Sequence, residues 1–400
     1  MSTSLKPSSD RPARVLIAGG GAAGLEAMIA LRTLAGARVD IELVSPEPAF
    51  AWRSLAVAAA FGEIDAPTVD LREIAATLDA RHVCDVVVGV ESASATVTLA
   101  DGGPRGYDAL IVCTGAQVQD AIPGAVTFGA PGGTARFRHV LEHAERGEIS
   151  TIIFAIPADV GWPIPLYELA LLTAERLRSA GSAAELTLLT PESAPLAVFG
   201  GRASGAVLEE LEERGIRFVP GIQATEIAWG ELRAQPGNVR IGADAVITLP
   251  RLSGPAIAGL AADERGFLLV DAHGLVRGTS NVYAAGDAIA FAVKHGGLAT
   301  QQADAAAEMI AARVGAAVTP TPFSPVLRGM LLTGSGPRYL EGTAGSAAGT
   351  GAASTRPLWW PPAKIAGRYI ASHLNWQVPS PPSAASAVVV DVALHPEIAT

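Results

Sequence analysis

Gly19, Gly21 and Gly24 fall at the spacing G-x-G-x-x-G, with Ala22 and Ala23 between the last two, directly after an apolar run that starts at Arg14. Such a loop bares backbone N–H groups toward a pyrophosphate. The first glycine permits a tight turn, the second lets the backbone approach the phosphate without a Cβ, and the third lets helix and strand pack closely. The helix that follows adds its positive N-terminal end. Ser45 stands where a ribose-binding acid usually falls, about 20 residues on, and Glu47 follows close behind. A second constellation lies in NVYAAGDAIAFAVKHGGLATQQAD, where Gly286-Asp287 ends an apolar run and Gly297-Leu298 opens an alanine-rich helix. Asp287 is placed to accept hydrogen bonds from a polyol chain, and the first helical turn would offer N–H groups to a partly negative ring edge. Lys294 and His295 sit just before that turn. A lysine there would stabilise negative charge, and a histidine titrating near neutrality would handle protons. Both residues also read as parts of an ordinary surface turn.

Residues 152–171, IIFAIPADVGWPIPLYELAL, have the outline of a second strand–turn–helix unit, but Gly161 is the turn's only glycine. Pro157, Trp162, Pro163 and Pro165 fill it instead. Proline has no N–H to give a phosphate, and tryptophan is bulky where the backbone should be bare. Pro165 suits the first turn of a helix, where a missing N–H costs little. This loop argues against a nicotinamide dinucleotide held in the usual way.

The elements that must position these residues can be read from the pattern. Residues 24–34 are helical and 39–44 extended, a βαβ unit of about 30 residues. Runs at 82–90 and 95–100 read as a small antiparallel meander, and 109–114 as a buried strand. A second α/β block reads strand 151–156, helix 166–180, strand 185–189, helix 205–214, strand 216–219, closing through 245–248. Short strands follow at 267–270 and 282–284, then a helix to about 314. Residues 342–355, rich in Gly, Ala, Ser and Thr, read as a flexible loop. A helix over 363–374 would place Ile365, Tyr369 and Leu374 on one face, with Lys364 and Arg368 on another. Residues 1–12 read as a mobile lead-in, and 377–400 as linker and tail.

A chain of 400 residues carries more than one core. Its net charge of −10, without a basic stripe, speaks against nucleic-acid binding. No run of 18 apolar residues offers a membrane-spanning helix. Cys84 and Cys113 have neither disulfide-scaffold nor zinc spacing and read as core residues in a reducing cytoplasm.

Taken in order, these motifs resemble the pyridine nucleotide–disulfide oxidoreductase superfamily of flavoproteins, and within it sulfide:quinone reductase and type II NADH dehydrogenase relatives. The likeness rests on Gly19, Gly21 and Gly24, on PAFAWRS at 48–54, on Thr114-Gly115-Ala116, on Gly286-Asp287 and on KHGGLATQQAD from Lys294; it spans about 14–375. It implies an α/β fold with two Rossmann-like three-layer domains and a small C-terminal α+β domain. The FAD domain would be discontinuous, 13–120 with 251–317; 121–250 would form the degenerate second domain and 318–376 the C-terminal one. Gly19, Gly21, Ala22, Ala23 and Gly24 would hold the FAD pyrophosphate, with Ser45 and Glu47 near the adenosine ribose. Asp287, beside Gly286, would hold the ribityl chain and Gly297 with Leu298 would lie against the isoalloxazine. Arg53 and Val87 would make further contacts, and Thr114-Gly115 would flank the cofactor. In such relatives the C-terminal region admits quinone and forms a dimer or a peripheral membrane face.

The same branch takes up sulfur on redox cysteines beside the flavin, which Cys84 and Cys113 do not supply. The leading reading is an FAD-dependent oxidoreductase passing two electrons to a quinone-like or other small acceptor, its donor open. Two rivals stand beside it: an NAD(P)H-dependent reductase with an atypical nicotinamide pocket, and a non-catalytic flavin-binding regulatory protein.

Overall fold

The computed structural model describes residues 11–62, 64, 68–343 and 351–374. Four helices bear on the site: α1 (Ala22–Ala35), α2 (Ile164–Ala180), α3 (Gly296–Arg313) and α4 (Ile370–Leu374). Five parallel strands form the first sheet, in the order Val282–Ala284, Ala109–Val112, Ala13–Ala18, Val39–Val44, Ala80–Val83. Every residue of Ala109–Val112 is buried, as expected of a parallel strand covered on both faces. Strand order reverses between Ala13–Ala18 and Ala109–Val112, so the loops after Ala18, Val44, Val112 and Ala284 gather at one edge. Ligands of open α/β sheets bind in such a crevice.

Helices α1 and α3 cover one face of this sheet. Alanine brings them close: Ala23, Ala27, Ala30, Ala303, Ala306 and Ala307 share one buried core. On the other face a meander of Val87–Glu91, Thr96–Leu99 and Gly103–Gly106 lays Val87, Val90, Val97 and Leu99 onto Leu16, Leu110 and Val112.

The second sheet repeats the winding, in the order Val126–Thr127, Ala245–Thr248, Thr151–Ala155, Glu185–Leu189, Arg217–Val219. Helix α2 packs on it, and its core extends into an antiparallel sheet of Val326–Leu332, Pro337–Thr343 and Ala352–Ser354 through Leu327, Leu331 and Leu340. A buried ion cluster ties the same units. Glu210 accepts from Arg214 Nη1 at 2.7 Å and from Arg338 Nε at 3.0 Å, and its side chain is 7% exposed.

Four expectations change. Ala80–Val83 joins the parallel sheet, pairing with Val39–Val44. The helix Leu71–Thr77 delivers it there; its N-cap Asp70 accepts from the N–H groups of Arg72 and Glu73 at 2.8 and 3.0 Å. Residues 267–270 make only isolated bridges, Leu268 with Ile289 and Val270 with Val276, because this stretch pairs with loops. Within 342–355, Ala352–Ser354 is a strand whose backbone pairs with Tyr339–Glu341; residues 344–350 lie outside the described residues. The helix over 363–374 shrinks to α4, because the N–H groups of Tyr369 and Ile370 go to the Glu26 carboxylate of α1. Lys364 is then buried, its side chain 7% exposed and ion-paired with Glu168 of α2. Residues 1–10 and the linker and tail from 375 lie outside the described residues.

Breaking a buried ion cluster from one side strands its partners without their counter-charge. Glu210→Ala is expected to cost about 3 kcal/mol, read as a lowered midpoint in urea unfolding, whereas Glu213→Ala, an exposed neighbour on the same helix Gly201–Glu213, leaves that midpoint nearly unchanged.

Candidate cofactor site

The first glycine loop is closed on two sides and open on the third. Gly19 has φ +111°, and a Cβ there would lie 2.2 Å from the Cys113 carbonyl oxygen. A Cβ on Gly24 would lie 1.9 Å from the Gly19 carbonyl oxygen. These two positions are glycine so that the turn can press against the next strand and the helix against the turn. Gly21 differs: a Cβ there meets nothing within 4 Å. Gly21 is the N-cap of α1, and among the described residues no acceptor takes the N–H groups of Ala22, Ala23 or Gly24. The loop thus presents three free donors, at a helix's positive end, to an open space.

Around that space stand the other strand ends. Ser45, buried, donates to Glu47 Oε2 at 3.0 Å and so orients an exposed carboxylate beyond Val44. Thr114 is exposed, and Gly115 has φ +76° with open space beside it. Gly286, φ +77°, sits where a Cβ would be 3.2 Å from Ala23 and 3.4 Å from Ala299, and its N–H donates to Gln302 Oε1 at 2.8 Å. Val87 puts its side chain into the core under the meander.

Asp287 is partly buried, and among the described residues its carboxylate takes no hydrogen bond. Burial pushes its pKa up, and the charges of Lys294 and Arg53 pull the other way. Lys294 Nζ donates to the carbonyls of Asp287, at 3.2 Å, and Ile289, and lies 3.8 Å from the centre of the Phe267 ring. Its pKa falls to about 8, chiefly through burial, with Asp287 opposing. Asp287 and Lys294 therefore form one polar recess beneath the start of α3, with Arg53 contributing its field.

His295 is the N-cap of α3; its carbonyl accepts from the N–H groups of Leu298 and Ala299 at 3.0 and 2.9 Å. Among the described residues no acceptor takes the N–H groups of Gly296 or Gly297. The imidazole curls back over Gly297 and stacks on Trp162, with ring centres 4.1 Å apart at 28°. It faces the Lys364 backbone, and its Nδ1 is sealed from solvent without a partner among the described residues. Burial, then the Lys364 charge, push its pKa down to about 3. The expected titration near neutrality is thereby corrected: His295 is a neutral, packed ring.

Trp162 belongs to the proline-filled turn of the second domain. A Cβ on Gly161 would lie 2.3 Å from the Ala292 carbonyl oxygen, so this glycine serves a close contact with the chain leading to Lys294. Phe199 meets the other edge of Trp162 at 5.6 Å. Where a second dinucleotide's ribose would fall, beyond Glu185–Leu189, Glu192 already accepts from Tyr167 Oη at 2.7 Å and Thr190 Oγ1 at 3.1 Å. No sequence signal set Trp162 against His295 or Tyr167 against Glu192, because each pair joins two separate elements and neither follows from a local periodicity.

Cys113 is buried with its pKa raised to about 12, as a core thiol should be. Cys84 is not a core residue: it is exposed, its Sγ donating to the Pro46 carbonyl at 3.2 Å, because its strand ends just before it. Among the described residues no group of three or more His, Cys, Asp or Glu side chains could hold a metal ion, and no helix is long and apolar enough to cross a membrane.

Two doubly wound sheets, the first with a glycine loop and a second helix N-terminus aimed at its switch point, define a flavoprotein with two dinucleotide-type domains. The chain belongs to the pyridine nucleotide-disulphide oxidoreductase family, whose sequence profile matches residues 13–150 and 168–309. It is an FAD-dependent oxidoreductase of that family. Among solved structures it is similar to the sulfide:quinone oxidoreductase of the hyperthermophilic bacterium Aquifex aeolicus, with TM-score 0.78 and 17% identity over 86% of each chain. It is also similar to a ferredoxin reductase of Rhodopseudomonas palustris, with TM-score 0.62 and 20% identity over 82% of this chain and 81% of that one. NDH2 of Plasmodium falciparum, solved with NADH, gives 0.55 and 15% over 70% and 65%.

The residues present fit FAD. The open side of Gly21, with the free N–H groups of Ala22, Ala23 and Gly24, suits the pyrophosphate. Asp287 suits a polyol, and the free N–H groups of Gly296 and Gly297 suit the oxygen-bearing edge of the ring. Since Gly21 touches nothing, Gly21→Val is expected to leave the apoprotein's melting temperature nearly unchanged while weakening FAD binding ~100-fold, roughly 3 kcal/mol. Visible absorbance after FAD titration reads the second effect and circular dichroism the first.

Proposed function

We propose that this protein passes two electrons, through FAD, from a small donor other than NAD(P)H to a quinone-like acceptor. The observation that carries the first half is the closed second-domain turn. Gly161 presses on the Ala292 carbonyl, Trp162 stacks on His295, and Glu192 is engaged by Tyr167. A nicotinamide dinucleotide needs a bare glycine loop and a free ribose-binding acid, and this domain offers neither. The quinone-like acceptor is supported by the likeness, over most of both chains, to a sulfide:quinone oxidoreductase.

Bound FAD supplies the two-electron chemistry; the chain supplies position and field. Lys294, pinned to two carbonyls, holds positive charge in the recess with Asp287, and this charge fades as pH rises through about 8. Gly296 and Gly297 aim N–H groups at the same region, which favours negative charge there. His295 moves no proton near neutral pH; it positions the turn. Cys113, protonated and buried, takes up no sulfur, so sulfide oxidation through a cysteine pair beside the flavin is not part of this reading.

An anaerobic titration of the FAD-loaded protein, followed in the visible, tests both halves. NADH and NADPH should leave the oxidised bands in place over minutes, and a soluble quinone analogue should restore them after dithionite reduction. Rapid bleaching by either nicotinamide would overturn the donor reading; reduced protein indifferent to quinone would overturn the acceptor reading.

A further inference from the structure

The interface between α1 and α3 is nearly all alanine, yet it encloses two carboxyl groups in contact. Glu26 of α1 is fully buried, and Asp304 of α3 is its acidic neighbour across that interface. Glu26 accepts from the N–H groups of Tyr369 and Ile370 at 2.8 and 2.6 Å. Asp304 Oδ1 is buried and has no partner among the described residues. Over this pair lies the segment 363–374. Gly367 fits it closely, since a Cβ there would lie 2.8 Å from Glu26 Oε2 and 2.9 Å from Thr300. Two and three residues earlier the same segment covers the start of α3: Ile365 packs on Gly296, and the Lys364 backbone faces His295. The segment is a strap across the cofactor end of α3, and the carboxyl pair is where it is fastened.

We propose that Glu26 and Asp304 share one buried proton, and that this proton latches the strap, so that its loss lets residues 363–374 lift from α1 and α3. Glu26 is the member suited to carry the negative charge, because two N–H groups converge on it. Asp304 is suited to hold the proton, because no N–H or O–H group among the described residues donates to its buried Oδ1 and its own proton can be donated to Glu26. Two negative charges in contact away from water repel strongly, and both are rehydrated when the strap leaves. The groups facing the pair from the packed elements are Glu308 of α3 and Arg368 and Tyr369 of the strap. Arg368 offsets part of the charge, but it is 63% exposed and already paired with Glu308 at 3.3 Å. The proposal is independent of which donor or acceptor the protein uses.

The direction follows from linkage. With the strap down, Asp304 is held up to about 8 by burial and then by the Glu26 charge; in water it returns toward 3.8. The closed form therefore binds the extra proton between those values, and the open form does not. Each unit of pH rise in that window multiplies the open-to-closed ratio by up to about ten, and the ratio levels off above about 8.

Hydrogen exchange by mass spectrometry on the full-length, FAD-loaded protein at pH 6, 7, 8 and 9 reads this directly, once corrected for the intrinsic pH dependence of exchange. The peptide spanning 366–374 should lose protection by up to about tenfold per unit from pH 6, less steeply as pH nears 8, and then level, while a peptide from the second sheet's Glu185–Leu189 stays constant. In Asp304→Asn the amide can donate to Glu26 at every pH, so protection of 366–374 should become flat and high. A flat profile in the unaltered protein, or a slope retained in Asp304→Asn, would overturn the latch. Should that variant fail to bind FAD or fold, the unaltered protein decides: loss confined to 366–374 supports the proposal, and loss shared with Glu185–Leu189 defeats it.

Discussion

Everything at this site depends on how the first turn of α3 is held. In the proposed reading that turn keeps the N–H groups of Gly296 and Gly297, which no protein acceptor among the described residues takes, free to face a ligand. A helix end with unsatisfied donors and two glycines has little reason to stay in one place. Here it is gripped from two directions: Trp162 stacks on His295 from the second domain, and Ile365 packs on Gly296 from the C-terminal segment. Parts of the chain more than 200 residues apart thus meet at two adjacent residues, His295 and Gly296. Without either grip the donors would remain but their aim would not, and electrostatic stabilisation is worth most when it is preorganised.

This explains the fate of the second domain's turn. A nucleotide loop must be bare, whereas a structural wedge must be bulky and stiff. Pro157, Pro163 and Pro165 stiffen it, Trp162 supplies the contact area, and the one remaining glycine, Gly161, is kept for the close approach to Ala292. The sheet beneath has the same parallel winding as the first, because that packing does not depend on a ligand. In this turn the loop is used for a contact, which the scaffold tolerates because loops vary independently of the sheet that places them.

The first glycine loop, Gly286-Asp287 and the helix after Gly297 could be read directly from the sequence, because each is a local pattern of strand, turn and helix within a short span. Lys294 could be placed in the same way. The long-range partners could not. His295 has the composition of a titrating residue, and only its enclosure by Trp162 and Lys364 makes it neutral. Cys84 looked like a core residue because its neighbours are valines, but the strand ends at Val83 and leaves it outside. The helix read over 363–374 failed for a related reason. Periodicity records which residues are apolar, not which carboxylate will capture an N–H group, and Glu26 captures two that a longer helix would have used.

The same case shows how an alanine-rich interface shapes what binds it. Small side chains bring α1 and α3 close, but they leave a third element almost nothing to grip except backbone. Glu26, Asp304 and Glu308 are its acidic residues, and each is engaged by the chain that follows α3 or by a carboxyl neighbour: Glu26 by Tyr369 and Ile370, Glu308 by Thr321 and Arg368, Asp304 by Glu26. Apolar contact through Ile365 and Ile370 adds burial but no register, because it is non-directional. Register comes from the hydrogen bonds, and those bonds converge on carboxyl groups whose charge depends on one another. A segment that needs fixed register over an alanine surface is therefore tied to acidic residues, and through them to the proton.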